Sequence, residues 1–104
     1  MQPQVQGVKM EDGARIERLI SMAERLVAAL ESDIAALKAG KPADLLTADP
    51  EIQRLTAVYG REAQGFDLRI AQAAPAPLRN RFVATTTKFR EVLQLHTRLL
   101  ARVK

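Results

Sequence analysis

The chain reads as all-α, either an antiparallel helical hairpin or a three-helix bundle with coiled-coil-like packing. Three observations predict this. Apolar residues recur at alternating steps of three and four over long stretches. Helix stop and start signals punctuate the chain at two places. No stretch alternates apolar and polar residues with the period of a strand. The 104 residues suit one domain. Aromatics make up only 4% and Trp is absent, so the core must be built from Leu, Ile, Val and Ala, which suits helix packing.

Residues 1–10 hold Gln2, Gln4 and Gln6 but no apolar core of a secretory signal. They are expected to form a flexible N-terminal tail, with 11–104 as a single helical domain. The first helix is expected over 11–39. Ile16, Leu19, Ala23, Leu26, Leu30 and Leu37 mark its seam, and Ile20, Val27 and Ile34 widen it. Glu11 and Asp12 suit the positive end of the helix dipole. Lys38 and Gly40 form a C-terminal signal, and Pro42 prevents continuation. The position skipped in this seam is Asp33. The plainer expectation leaves it at the edge of the stripe in water; the alternative buries it as the partner of a basic residue.

Residues 41–49 are expected as a loop with a short helical turn around Leu45 and Leu46. Asp49-Pro50-Glu51 then opens the second helix, with Asp as N-cap and Pro in the first turn. Ile52, Leu55, Tyr59, Ala63, Phe66, Ile70 and Ala73 carry it to about residue 74. Gly60 and Gly65 lie inside it. Each costs about 1 kcal/mol relative to Ala, unless it marks a close helix approach. Pro75-Ala76-Pro77 breaks the chain again. The third helix is expected from residue 77 to the end. Leu78, Phe82, Thr85, Phe89, Val92, His96, Leu99 and Val103 hold a 4-3 spacing, flanked by Leu93 and Leu100. The pattern is still running at Lys104, so either the helix frays there or the natural chain continues. Leu26, Leu30, Leu55, Phe66, Phe82 and Phe89 are expected among the most buried residues.

No catalytic constellation stands out. Cysteine is absent and His96 is the only histidine, which excludes thiol chemistry, disulfides and His-cluster metal sites. Ser21 and Ser32 have no nucleophile context that would join them to His96. Glu17, Glu24 and Glu31, one heptad apart, read as a solvated face. No catalytic residue, metal site or cofactor is therefore expected. No apolar run approaches the roughly 20 residues that span a bilayer, so no membrane insertion is expected.

Charge is uneven. Residues 75–104 carry +6 and residues 11–74 carry −3. Arg79, Arg81, Lys88, Arg90, Arg98, Arg102 and Lys104 could contact phosphates. The full apolar seam on the same helix, without any stacking platform, favours a protein partner over nucleic acid. The partner-binding surface is expected at Val92, His96, Leu99, Leu100 and Val103, with Arg98 and Arg102 steering an acidic amphipathic helix.

The segment IERLISMAERLVAALESDIAALKAGKPADLLTADPEIQRL, with its leading leucines, its Glu31-x-Asp33 pair and its short polar break before a second helix, resembles FlgN-type flagellar type III export chaperones. It is similar in particular to the short FlbY-type flagellar proteins. The resemblance implies a cytoplasmic, nonenzymatic chaperone or flagellar regulator. It would bind amphipathic helices of hook-associated subunits through a region corresponding to residues 78–103. The family's C-terminal tyrosine, which contacts the export apparatus, has no counterpart, because the only tyrosine is Tyr59. The rival readings are a structural homo-oligomeric bundle, such as a homodimer, and a nucleic-acid binder.

Overall fold

The computed structural model describes residues 10–103, and all its regular structure there is helical. Helix α1 (Met10–Lys38) is followed by two short 3-10 turns (Pro42–Asp44 and Leu46–Ala48). Then come α2 (Pro50–Gln64), α3 (Leu68–Ala73) and α4 (Ala76–Ala101). Of the expected tail, residues 1–10, residues 1–9 lie outside the described residues, as does Lys104, and Met10 belongs to α1.

Local chemistry sets the boundaries. Helix α1 ends in a Schellman motif. Gly40 adopts φ +75, the Lys41 amide donates to the Ala36 carbonyl at 2.8 Å, and the Gly40 amide donates to Leu37 at 3.1 Å. The Asp49 side chain accepts the Glu51 amide at 2.8 Å and starts α2. The expected single helix over 49–74 is in fact two. Gly65 ends α2, and Asp67 caps α3 by accepting the Arg69 amide at 2.9 Å. That cap competes locally with helix continuation, and Gly65 lowers the cost of the break. The carbonyls of Gln72 and Ala74, at the end of α3, are met by the Arg79 guanidinium at 3.5 and 3.2 Å. Helix α4 ends at Ala101, and the Arg102 and Val103 amides close its last turn onto Leu99 and Leu100.

Cross-helix pairs fix the directions. Glu17 meets Arg81, Glu31 meets Lys88 and Asp33 meets His96, so numbers rise together and α4 runs parallel to α1. Arg18 meets Glu62, while Arg25 lies beside Glu51 and Arg54, so α2 runs antiparallel to α1. The result is an up-down-up bundle, extended to 60 × 24 × 17 Å, in which α1 is the shared spine.

The core therefore sits on α1. Ile16, Leu19, Ile20, Met22, Ala23, Leu26, Val27, Ala29, Leu30 and Ile34 are all buried: α2 and α4 cover two adjoining sides of one helix, and Phe66, Ile70 and Ala74 close over Ile16 and Ile20. Full burial of Ile16 and Ile20 contributes about 1.5–3 kcal/mol each. Among the six residues expected in the deepest core, Leu26 and Leu30 are there. Leu55, Phe66, Phe82 and Phe89 are only half-buried: Leu55, Phe82 and Phe89 belong to outer helices that have α1 on one side only, and Phe66 lies in the break between α2 and α3. Glu17 and Glu31 are not simply solvated. They flank the α1–α4 seam and pair with Arg81 at 3.3 Å and Lys88 at 3.4 Å. Half-exposed pairs of this kind contribute well under 1 kcal/mol each but favour this register. Gly60 marks no close approach within the chain, since a Cβ there would meet nothing within 4 Å.

Candidate functional site

Asp33 occupies the seam position one heptad after Leu26, where a leucine would continue the row. It does not sit in water as the plainer expectation had it. It is 0% exposed, and its partner is His96, which is 5% exposed. The reason lies in its four donors. His96 Nε2 stands 2.9 Å from Oδ2, and the Thr47 hydroxyl and amide donate to the same oxygen at 2.6 and 3.2 Å. The Leu46 amide donates to Oδ1. Leu46 and Thr47 open the second 3-10 turn, and Leu45 supplies no capping side chain. A carboxylate from α1 therefore caps that turn from outside the loop.

Burial by itself would raise the Asp33 pKa. The hydrogen bonds from the Thr47 hydroxyl, His96 and the Leu46 and Thr47 amides outweigh it and hold the carboxyl below its ordinary 3.8. An ionised carboxylate only accepts, so His96 must carry its proton on Nε2. The arrangement is not a catalytic triad. Thr47 donates to Asp33 rather than to the imidazole, and Ser21 and Ser32 are exposed on α1. Among the described residues no group of three or more His, Cys, Asp or Glu side chains could hold a metal ion. No helix among them is long and apolar enough to cross a membrane.

Beside this node runs a trough between α2 and α4. Both helices pack on α1, and they meet each other mainly through aromatic contacts. Tyr59 stands edge-on to Phe89 with ring centroids 5.2 Å apart, and burial there pushes its phenol pKa up. Phe66 leans on Phe82 at 5.4 Å, with the Arg15 guanidinium over its ring. On either side of the Tyr59–Phe89 bridge the trough opens into a pocket. The upper one, about 320 Å³, has Leu26 and Leu30 as floor, Phe89, Leu93 and His96 on one wall, Gln53 and Thr56 on the other, and Thr47 at its lip. The lower one, about 380 Å³, has Leu19 as floor and Phe66, Leu68 and Phe82 among its walls, with Arg90 beside them. Leu68 is 65% exposed and Leu93 41% exposed, so the rim is apolar and wet.

The contact surface expected from sequence divides. Val92 and Leu99 are half-buried, while Leu100, Val103, Arg98 and Arg102 are exposed. His96 is not a surface residue: the Asp33 carboxylate draws it inward, and it reaches the trough only as part of the upper pocket's wall. At 100° per residue, Arg98 stands about 200° and Arg102 about 120° from His96, so both face away from the trough. Among the described residues Arg81 and Lys88 are paired within the chain and Arg79 holds backbone carbonyls. This leaves Arg90, Arg98 and Arg102 as the cations of α4 without an acidic partner there. Sequence reasoning missed Thr47, Gln53 and Thr56. Nothing in their spacing marks them, because they reach the site only through the fold of the connector and the tilt of α2.

Comparison with protein-family models, with curated proteins and with solved structures returns no match.

Proposed function

We propose that this protein is a nonenzymatic binding protein that receives an amphipathic helix of another protein in the trough between α2 and α4. One observation carries the reading: an apolar trough, walled by Phe89, Leu93, Phe66 and Leu68, lies open along the bundle. Its floor residues Leu19 and Leu26 are one heptad apart, about 10 Å along α1, which is the spacing of i and i+7 anchors on a docking helix. A fourth helix there would complete a four-helix arrangement. Leu100 and Val103 extend the apolar surface at the end of α4, and Arg90, beside the lower pocket, suits an acidic partner.

The resemblance to FlgN-type chaperones and FlbY-type flagellar proteins makes the partner a hook-associated flagellar subunit, bound in the cytoplasm before export or as part of flagellar regulation. The test is to mix the purified chain with C-terminal helices of such subunits and measure mass by light scattering after size exclusion. The reading expects a one-to-one complex that is lost when Leu68 and Leu93 are both replaced by Ser. A stable homodimer indifferent to those helices would replace it with the structural-bundle reading.

A further inference from the structure

We propose that residues 41–49 form a strap over the upper end of the trough, and that the Asp33 carboxylate is the latch that holds it shut. The strap packs on α1 and α2, but shallowly. Neither 3-10 turn contains a buried residue, and Leu46 is an exposed leucine. Each end is a natural pivot: Gly40, in the left-handed conformation, leads in from α1, and the Asp49-Pro50 cap leads out into α2. Between these ends, the side-chain hydrogen bonds tying the strap to the helices among the described residues all go to one carboxylate. They are the bonds from the Leu46 amide, the Thr47 amide and the Thr47 hydroxyl.

The latch is set from both sides. His96 holds the same Oδ2 from α4 at 2.9 Å, so Asp33 is fully engaged only when α4 lies in register on α1. Thr47 and His96 both line the upper pocket. A side chain entering that pocket therefore meets two of the three residues that engage the latch carboxylate. Filling the pocket and holding the strap are thermodynamically coupled, and the coupling acts in both directions. As a control on access to the trough, this inference rests on the docking reading above. As a latch, it is a property of the free chain and is tested there.

The experiment compares the wild-type chain with Asp33→Asn and Thr47→Val by amide hydrogen exchange and by the fluorescence of the apolar dye 1-anilinonaphthalene-8-sulfonate. Asp33→Asn keeps the volume but loses the charge on the acceptor. Thr47→Val removes one strap donor and leaves the Asp33–His96 contact in place. The expected result is exchange of the Leu46 and Thr47 amides accelerated about 10- to 100-fold in Asp33→Asn, and less in Thr47→Val. Protection across Ile16–Leu30 of α1 should be unchanged in Thr47→Val, and dye fluorescence should rise in both variants as the pocket opens. Unchanged exchange at Leu46 and Thr47 in both variants would overturn the latch. So would acceleration spread evenly over the chain in Thr47→Val, because the loss would then be global. Local acceleration without a rise in dye fluorescence would overturn the strap as a cover of the pocket. None of these outcomes depends on finding a partner helix, so the docking reading stands or falls separately.

Discussion

Replacing Asp33 with Ala removes the acceptor shared by four donors: the His96 imidazole, the Leu46 and Thr47 amides and the Thr47 hydroxyl. His96 is 5% exposed, so its orphaned N–H cannot simply turn to water. Each buried donor left without its carboxylate acceptor costs about 1–3 kcal/mol, so stranding the His96 N–H and the strap donors should cost about 3–5 kcal/mol in all. A chain of 104 residues has a total stability of about 5–15 kcal/mol, so roughly a fifth or more is at stake. At about 4 °C per kcal/mol, the melting temperature should fall by roughly 12–20 °C. The assay is urea unfolding followed by far-ultraviolet circular dichroism, with His96→Ala and the double variant completing a cycle. The coupling between the two sites should be about 0.5–3 kcal/mol. A loss below about 1 kcal/mol for Asp33→Ala, or perfectly additive single losses, would refute the argument that this carboxylate ties three segments together.

The remaining expectations concern pH, helix propensity and packing. The folded pKa of Asp33 lies below its ordinary 3.8, so its stabilising contribution is present above the unfolded value. It is lost as pH falls through the folded one. Urea midpoints should drop steeply on acidification below about pH 4, and Asp33→Asn should flatten that drop; equal slopes in both proteins would contradict the sign. Gly60→Ala places a methyl where nothing lies within 4 Å and should stabilise by about 1 kcal/mol, read from the thermal midpoint. A decrease would show that the position has a cost the fold does not reveal. Leu26→Ala in the floor should cost about 2–5 kcal/mol, whereas half-buried Phe89→Ala should cost less than the roughly 3–5 kcal/mol of a fully buried Phe. Calorimetry of the two variants checks the order, and a larger loss at Phe89 would mean that the trough is packed shut.

Much of the fold is legible in the sequence for a physical reason. The α1 and α4 stripes are long, and Gly40, Pro42, Asp49 and Pro75 each impose a backbone constraint that acts locally. The break at Gly65 was harder to see. Ile70 and Ala73 keep the helical spacing across it, and only the Asp67 cap, a local competitor, interrupts the helix. Asp33 shows the same limit at the site. Its place in the leucine row is visible, but whether it points to water or inward depends on residues 13, 14 and 63 positions away. The aromatics are less buried than their spacing suggests, because periodicity identifies the face a helix buries, not how many neighbours cover that face. In this bundle α1 has two, while α2 and α4 leave a trough between them.

The most direct test of that trough is site-specific photo-crosslinking in the native host. A benzophenone side chain is placed in turn at Thr56 and Leu93, on the two walls of the upper pocket, and at Arg98, on the far side of α4. The account predicts that positions 56 and 93 crosslink to the same protein, within an amphipathic helix of a hook-associated subunit, and that position 98 does not. Crosslinks at 98 alone, or the same yield from all three positions, would contradict it.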